Sequence, residues 1–374
     1  MSPPKVTAID VSLVDLPTIR PHHLSMTVMR TQTMVIVRLH CSDGIVGLGE
    51  ASTIGGLSYG EESPEGMKVA IETYFTPALL NQDATSIQAA MMRLHAAGKG
   101  NRFAKFALET ALLDAQGKRL GVPVSTLLGG VVEDSLPVLL TLASGDTEKD
   151  IEEAQSLLQS GRHRAFKLKI GTREPAHDIA HVSAIKKAVG DSVMITTDIN
   201  QAWEEAVAKP GIARLQEAGV DLIEQPLDRD NYEGLARLTS HFTVAIMADE
   251  AVTDTKQAFK LAKIFAGSVF ALKPAKAGGL YEVLRVAAVA QAAGIGLYGG
   301  TMLEGTIGTA AAAHAFRTLP RLEWGTELFG PLLLTDDIIK NPIVYRDGRM
   351  HLPEGPGLGL ELDMDKFEQY RRKL

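Results

Sequence analysis

From residue 136 onward, short apolar runs end on charged or polar positions at a nearly constant interval. The runs 138–142, 165–170, 193–198, 222–224, 244–249, 269–273, 295–298 and 322–327 read as strands. From the second run on, their ends fall at 169, 198, 224, 249, 273, 298 and 327, so the steps are 29, 26, 25, 24, 25 and 29 residues. Such a step accommodates one strand, one crossover helix and two short loops, the unit that joins parallel neighbours. Eight of them close a barrel. A doubly wound open sheet is the competing architecture, but it would carry a glycine-rich phosphate turn after its first strand, and Ala143-Ser144-Gly145-Asp146 lacks that pattern. The expected fold class is therefore α/β, with a barrel over residues 131–330.

The chain has 374 residues, more than one barrel of this length uses. Residues 1–130 read as a separate α+β unit. A strand is expected over 6–16, and two more over 33–39 and 45–48 around the hairpin turn Ser42-Asp43-Gly44. Ser63-Pro64-Glu65 has the form of a helix cap followed by proline in the first turn, and a long helix is expected from Asn101 to about Gly121. Segments 18–27 and 52–60 read as loops. The tail, 331–374, has strand character at 349–352 and 357–362 and is expected to return to the first unit.

Thirty-eight Lys and Arg stand against 45 Asp and Glu, and the net charge of −7 argues against nucleic acid or an anionic membrane as main partner. The charge-free stretch 286–303 is long enough to span a bilayer, but its four glycines and Gln291 fit a helix followed by a strand and loop, so no membrane partner is expected. Cys41 is the single cysteine and cannot form an internal disulfide, and Asp10 and Asp15 stand where a leader would be basic and then apolar. A cytoplasmic location is the expectation.

Lys169, Asp198, Glu224, Asp249, Lys273 and Glu327 each fall at the C-terminal end of an expected strand, the rim on which barrel active sites are built. Asp198, Glu224 and Asp249 come from three neighbouring strands. Converging unpaired carboxylates repel each other, and a divalent cation resolves that repulsion; an all-oxygen set favours Mg2+ or Mn2+ over zinc. A salt-bridge network with nearby Arg or Lys is the alternative. Lys167 and Lys169 are two apart on one strand and share a face, so they should depress each other's pKa and leave one amine neutral. Lys273 lies four strands away, across the mouth, and is expected to pair with Glu327. A metal-held carboxylate between two opposed lysines suits proton transfer at the adjacent carbon. Pro274, directly after Lys273, is the one local oddity, because it removes a strand-end N–H.

Lys167-Leu168-Lys169, Asp198-Ile199-Asn200, Glu224-Gln225-Pro226, Asp249-Glu250 and the run from Lys273 to Gly278-Gly279 resemble the muconate lactonizing subgroup of the enolase superfamily. The resemblance spans nearly the whole chain. It implies an N-terminal α+β capping domain, a modified TIM barrel of the (β/α)7β kind, and Mn2+ or Mg2+ held by Asp198, Glu224 and Asp249. The segments 15–22, 53–56, 298–305 and 325–330 resemble the branch that converts cis,cis-muconate to muconolactone in catechol degradation. That branch implies an enolate intermediate, syn addition with the proton from Lys169, and His22, Ile54 and Tyr59 in capping loops over a small dicarboxylate, with Asn200 beside it. It also implies a homo-octamer. Chloromuconate cyclisation, N-acylamino acid racemisation and o-succinylbenzoate synthesis are the neighbouring activities. A barrel that has lost catalysis and serves only as a binding subunit is the reading from another class, and it is disfavoured because none of the six rim charges is missing.

Overall fold

The computed structural model describes residues 2–23 and 27–373. Near the N-terminus, strands β1 (Val6–His23), β2 (Val28–Cys41) and β3 (Val46–Ser52) form an antiparallel sheet in that order, joined between β2 and β3 by the Asp-Gly turn. The sheet lies directly on the helix Arg102–Leu120. A Cβ on Gly47 or Gly49 would stand 1.9 or 2.0 Å from the carbonyl oxygens of Ala111 and Ala107, so only glycine permits this approach. The helix opens at Asn101 and stops at Gly121, whose φ of +69° is the left-handed conformation that ends helices. Ser63 caps the helix Pro64–Ala70, accepting the N–H of Gly66 at 3.0 Å.

Segment 18–27 is not simply a loop. β1 continues through His23 and pairs His22 with Met29 and His23 with Val28, after a register shift beyond Pro17. Pro17 and Pro21 are tolerated there because β1 is an edge strand, where a missing N–H breaks no ladder on the open side. Residues 24–26 of that expected loop lie outside the described residues. Of the expected loop 52–60, Ser52 still belongs to β3, where it pairs with Met34, and 53–60 is irregular and turn-rich.

After β4 (Leu136–Pro137), seven parallel strands follow: β5 (Leu140–Leu142), β6 (Ala165–Lys169), β7 (Met194–Asp198), β8 (Leu222–Glu224), β9 (Ala245–Ala248), β10 (Val269–Leu272) and β11 (Gly296–Gly299). Each pairs with its sequence neighbour, and a helix connects each to the next. The expected eighth strand over 322–327 is reduced to one residue. Thr326 bridges Gly299 on one side and Val138 on the other, with Leu139 N–H donating to Thr326 O (2.9 Å) and Glu327 N–H to Gly299 O (2.8 Å). Residues before it cannot extend the ladder because Gly325, at φ +66°, closes a turn onto Leu322. That single residue closes the barrel.

Strands β12 (Val344–Arg346) and β13 (Arg349–His351) pair antiparallel and reach β4. The expected strand over 357–362 is absent apart from isolated pairings of Gly357 with Pro123 and Leu362 with Ile339, because Gly357 and Gly359 take positive φ and break the extended run. The tail meets the first sheet again where Arg371 bridges Val14 and Arg372 binds Asp15 at 2.7 Å. No helix among the described residues is long and apolar enough to cross a membrane.

Candidate active site

The parallel register sets the site before any side chain is considered. Lys169 pairs with Asp198 across β6 and β7, and Asp198 with Glu224 across β7 and β8, so their side chains emerge at one level on the same face. Asp249 and Lys273 follow β9 and β10 directly. All six are inside the rim, and Lys167, one pleat below Lys169, is completely buried.

Lys167 Nζ lies 2.6 Å from Glu327 Oε2, 2.6 Å from Glu224 Oε2 and 3.7 Å from Asp198 Oδ2, with the Tyr298 ring 5.2 Å away. The expected depression of its pKa is overturned. Burial alone would lower it, but Glu224 and Glu327 outweigh that and hold the ammonium well above its usual range. At the rim burial does lower Lys276, which bonds Asp249 at both Oδ1 (2.6 Å) and the backbone carbonyl.

Lys273 does not pair with Glu327. It bonds Asp249 Oδ2 at 2.6 Å and Tyr59 Oη at 3.1 Å, while the Tyr59 hydroxyl donates to Asp249 Oδ2 at 3.0 Å. Asp249 lies on the adjacent strand and Glu327 two positions further round, where it is taken by Lys167. Asp249 and Glu327 nevertheless raise Lys273 well above the usual lysine range against the opposing effect of burial. Pro274 costs nothing: it is the first residue of the short helix Pro274–Ala277, where an N–H would have no partner.

Lys169 bonds Asp198 and donates to Asn200 Oδ1 at 3.1 Å; Asn200 Nδ2 donates in turn to Glu250 Oε1 at 2.9 Å. Burial, with Asp249 and Asp198 nearby, pushes Glu250 up to about 7. Gln225 Oε1 accepts the N–H groups of Asp249 (2.9 Å) and Ala251 (3.2 Å), fixing the start of the loop after β9.

Among the described residues, no three acidic, histidine or cysteine side chains are gathered as a ready cation cage. Lysines occupy Asp198 and Asp249 instead. Glu224 is held more loosely: its Oε2 is ion-paired with Lys167 at 2.6 Å, while its buried Oε1 receives no hydrogen bond. Burial and then Asp198 raise its pKa well above the carboxylate range. A buried carboxyl with one open oxygen between two further acids is chemically suited to a hard divalent cation.

A cavity of about 20 Å³ lies between the capping domain and the barrel mouth. His22, Ile54 and Tyr59 form one side, and Thr141, Lys169, Lys273, Thr301, Leu303, Glu327 and Phe329 the other. Lys169 and Lys273 thus share it. Room for about one water molecule remains. A far larger groove, about 1060 Å³, opens beside it between the start of the helix Arg102–Leu120 and the loops after β9 and β10, and Tyr59 lines both spaces. Lys169, Lys273 and Glu327 line the small cavity, and none of them reaches the groove. Thr141, Thr301, Leu303, Phe329 and Lys276 are the site residues that sequence reasoning missed. Lys276 was readable as the residue one helical turn after Lys273; the others carry no charge signal.

Residues 8–129 match the mandelate racemase / muconate lactonizing enzyme N-terminal domain, and residues 149–366 match the enolase C-terminal domain-like family. The chain belongs to the mandelate racemase / muconate lactonizing enzyme family. Within that family, it is 56% identical to muconate cycloisomerase 1 of Pseudomonas putida over 96% of each chain. It is 58% identical to the muconate lactonizing enzyme of Pseudomonas fluorescens crystallised with muconolactone, with a TM-score of 0.98 covering 99% of this chain and 100% of that one. A chloromuconate cycloisomerase of Cupriavidus necator is more distant at 44% identity, over 98% of this chain and 99% of that protein. The capping sheet and barrel described above are thus the family's two parts, and the chain is an enzyme of the enolase superfamily.

Proposed function

We propose that this enzyme converts cis,cis-muconate to muconolactone. The observation that carries the reading is the pair of lysines on opposite strands, Lys169 and Lys273, sharing one small capped cavity, in a chain 56% identical to a muconate cycloisomerase. One substrate carboxylate oxygen adds to the alkene carbon, forming the lactone C–O bond. The α-carbon of the resulting enolate takes its proton from Lys169 Nζ, on the syn face. Lys169 suits this role because it faces the cavity, with 15% of its side chain accessible, whereas Lys167 is sealed below it. Lys273 supplies positive charge from the opposite face, and Lys167 neutralises Glu224 and Glu327 beneath the site. His22 and Ile54 close the cavity against water, and Asn200 holds Lys169 in place.

Asp198, Glu224 and Asp249 would hold Mn2+ or Mg2+, with the unpartnered buried Oε1 of Glu224 as the best support for a cation there. When bound, the ion would stabilise negative charge on the substrate carboxylate. Cytoplasmic residence and a homo-oligomer, an octamer by family resemblance, belong to the same reading.

Loss of the conjugated-diene absorbance of cis,cis-muconate in the presence of Mn2+, abolished by a chelator and restored by metal, is the expected result. A chain that leaves muconate untouched but racemises an N-acylamino acid overturns the assignment, and a higher kcat/KM on chloromuconate moves it to that branch.

A further inference from the structure

One wall of the cavity belongs to the barrel but is suspended from the capping sheet. Gln32 on β2, 2% exposed, donates from Nε2 to the carbonyl oxygens of Leu303 (2.7 Å) and Met302 (3.3 Å). Glu50 on β3 is wholly buried and accepts the N–H of Gly305 at Oε1 (2.6 Å) and of Gly308 at Oε2 (2.8 Å), while the Ser52 hydroxyl donates to Oε1 at 2.9 Å. These contacts bracket the segment 301–305, which contributes Thr301 and Leu303 to the cavity. Within the segment, Glu304 Oε2 accepts the Thr301 hydroxyl (2.5 Å) and the Met302 N–H (2.8 Å), so the turn moves as one piece.

Leu303 sits at φ +58°, a left-handed conformation that a leucine holds only when its surroundings impose it. The amide of Gln32 on its carbonyl is such an imposition. The segment also touches the chemistry. Thr301 N–H donates to Glu327 Oε1 at 3.3 Å, and a Cβ on the preceding Gly300 would come within 2.6 Å of the Lys273 chain. Neither Gln32 nor Glu50 lines the cavity itself.

We propose that Gln32 and Glu50 are positioning residues for substrate specificity, through which the capping domain sets the Thr301–Leu303 wall and so decides which substituted muconates fit. This rests on muconate cyclisation as the activity. Glu109 provides an internal control, since it makes the same kind of contact, a buried capping-domain carboxylate on the N–H of Leu280, at a place that does not border the cavity.

Steady-state kinetics on cis,cis-muconate and on a ring-carbon-substituted muconate, for Gln32→Met, Glu50→Gln and Glu109→Gln, decide it. Gln32→Met and Glu50→Gln should each raise KM for muconate about tenfold with kcat within about threefold, and shift the kcat/KM ratio between the two substrates about fivefold. Amide hydrogen exchange in 301–308 should quicken in both, with or without substrate. Glu109→Gln should change melting temperature without moving KM or the ratio. The proposal is overturned if KM and the ratio stay within twofold of wild type in Gln32→Met and Glu50→Gln, whatever their stability, or if Glu109→Gln moves both as far as they do. Should the wild-type enzyme fail on muconate altogether, the functional reading falls separately, and exchange alone judges the suspension: unchanged protection of 301–308 in Gln32→Met refutes it.

Discussion

Two regions of this enzyme bury carboxylates at high density, and they satisfy them in opposite ways. At the barrel mouth Asp198, Glu224, Asp249 and Glu327 face ammonium groups, those of Lys167, Lys169, Lys273 and Lys276. At the seam between capping domain and barrel, Glu50 and Glu109 face backbone N–H groups of the barrel, and among the described residues no ion pair is formed with either. Lysine holds Asp249 far below its usual pKa, whereas burial pushes Glu50 and Glu109 up to about 7 in spite of the backbone N–H groups that bond them. A carboxylate held by a flexible ammonium can exchange that partner for a metal or a substrate. One held by a helix N-terminus cannot, so the seam is fixed while the mouth can change partners.

Removing a partner at the mouth should therefore cost chemistry, and at the seam stability. The largest effect is expected for Lys169→Ala, which should lower kcat by about 10³-fold or more and abolish exchange of the lactone α-proton with deuterated solvent. If the exchange persists at the wild-type rate in Lys169→Ala but is lost in Lys273→Ala, the two lysines have each other's roles. Next comes Glu224→Gln. It should weaken Mn2+ binding by about 10²-fold in a direct titration while the circular dichroism spectrum stays unchanged, and an unaltered affinity would leave Glu224 without a metal role.

At the seam the sign of the pH dependence discriminates. Glu109 has a folded pKa of about 7 against an ordinary value of 4.5, so its favourable contribution is complete below pH 4.5 and is lost as pH rises to 7. Glu109→Gln should flatten the decline in stability over that window by roughly 2 kcal/mol, read from denaturant midpoints. A comparable effect of opposite sign concerns His314, which accepts the Ser125 N–H at Nδ1 and contacts the Leu358 carbonyl through Nε2; burial lowers it to about 4. Its contribution is complete above pH 6.5 and is lost as pH falls towards 4, so His314→Asn should remove roughly 2 kcal/mol of acid sensitivity. Parallel slopes for the two variants would break the contrast.

The mouth was far more legible in the sequence than the seam, for a physical reason. Strand ends recur along the chain, and a charge in phase with them announces itself without any knowledge of distant contacts. Which lysine meets which acid was not legible, because it depends on the angle between strands: Lys273 takes Asp249 on its neighbouring strand and leaves Glu327 to Lys167. Gln32, Glu50 and Glu109 give no periodic signal at all. Their partners lie 171 to 271 residues away, and each looks like an ordinary polar residue of a strand or helix until the two domains are docked. The tail misleads differently, since the apolar spacing of 357–362 suggests a strand that its glycines prevent.

The single-residue closure at Thr326 bears on how the enzyme should fail under heat. Every other junction in the barrel is a ladder of two to five paired residues, while this one rests on a few backbone bonds and the Thr326 hydroxyl to Pro137 O at 2.8 Å. The ladder with fewest rungs opens first in local unfolding. Glu327 is the next residue along, so the first thermal opening of the barrel would carry off a wall of the catalytic cavity while the other strands stay paired. Inactivation on warming would then precede the loss of helical signal, with the amides of Leu139 and Glu327 among the earliest in the barrel to exchange.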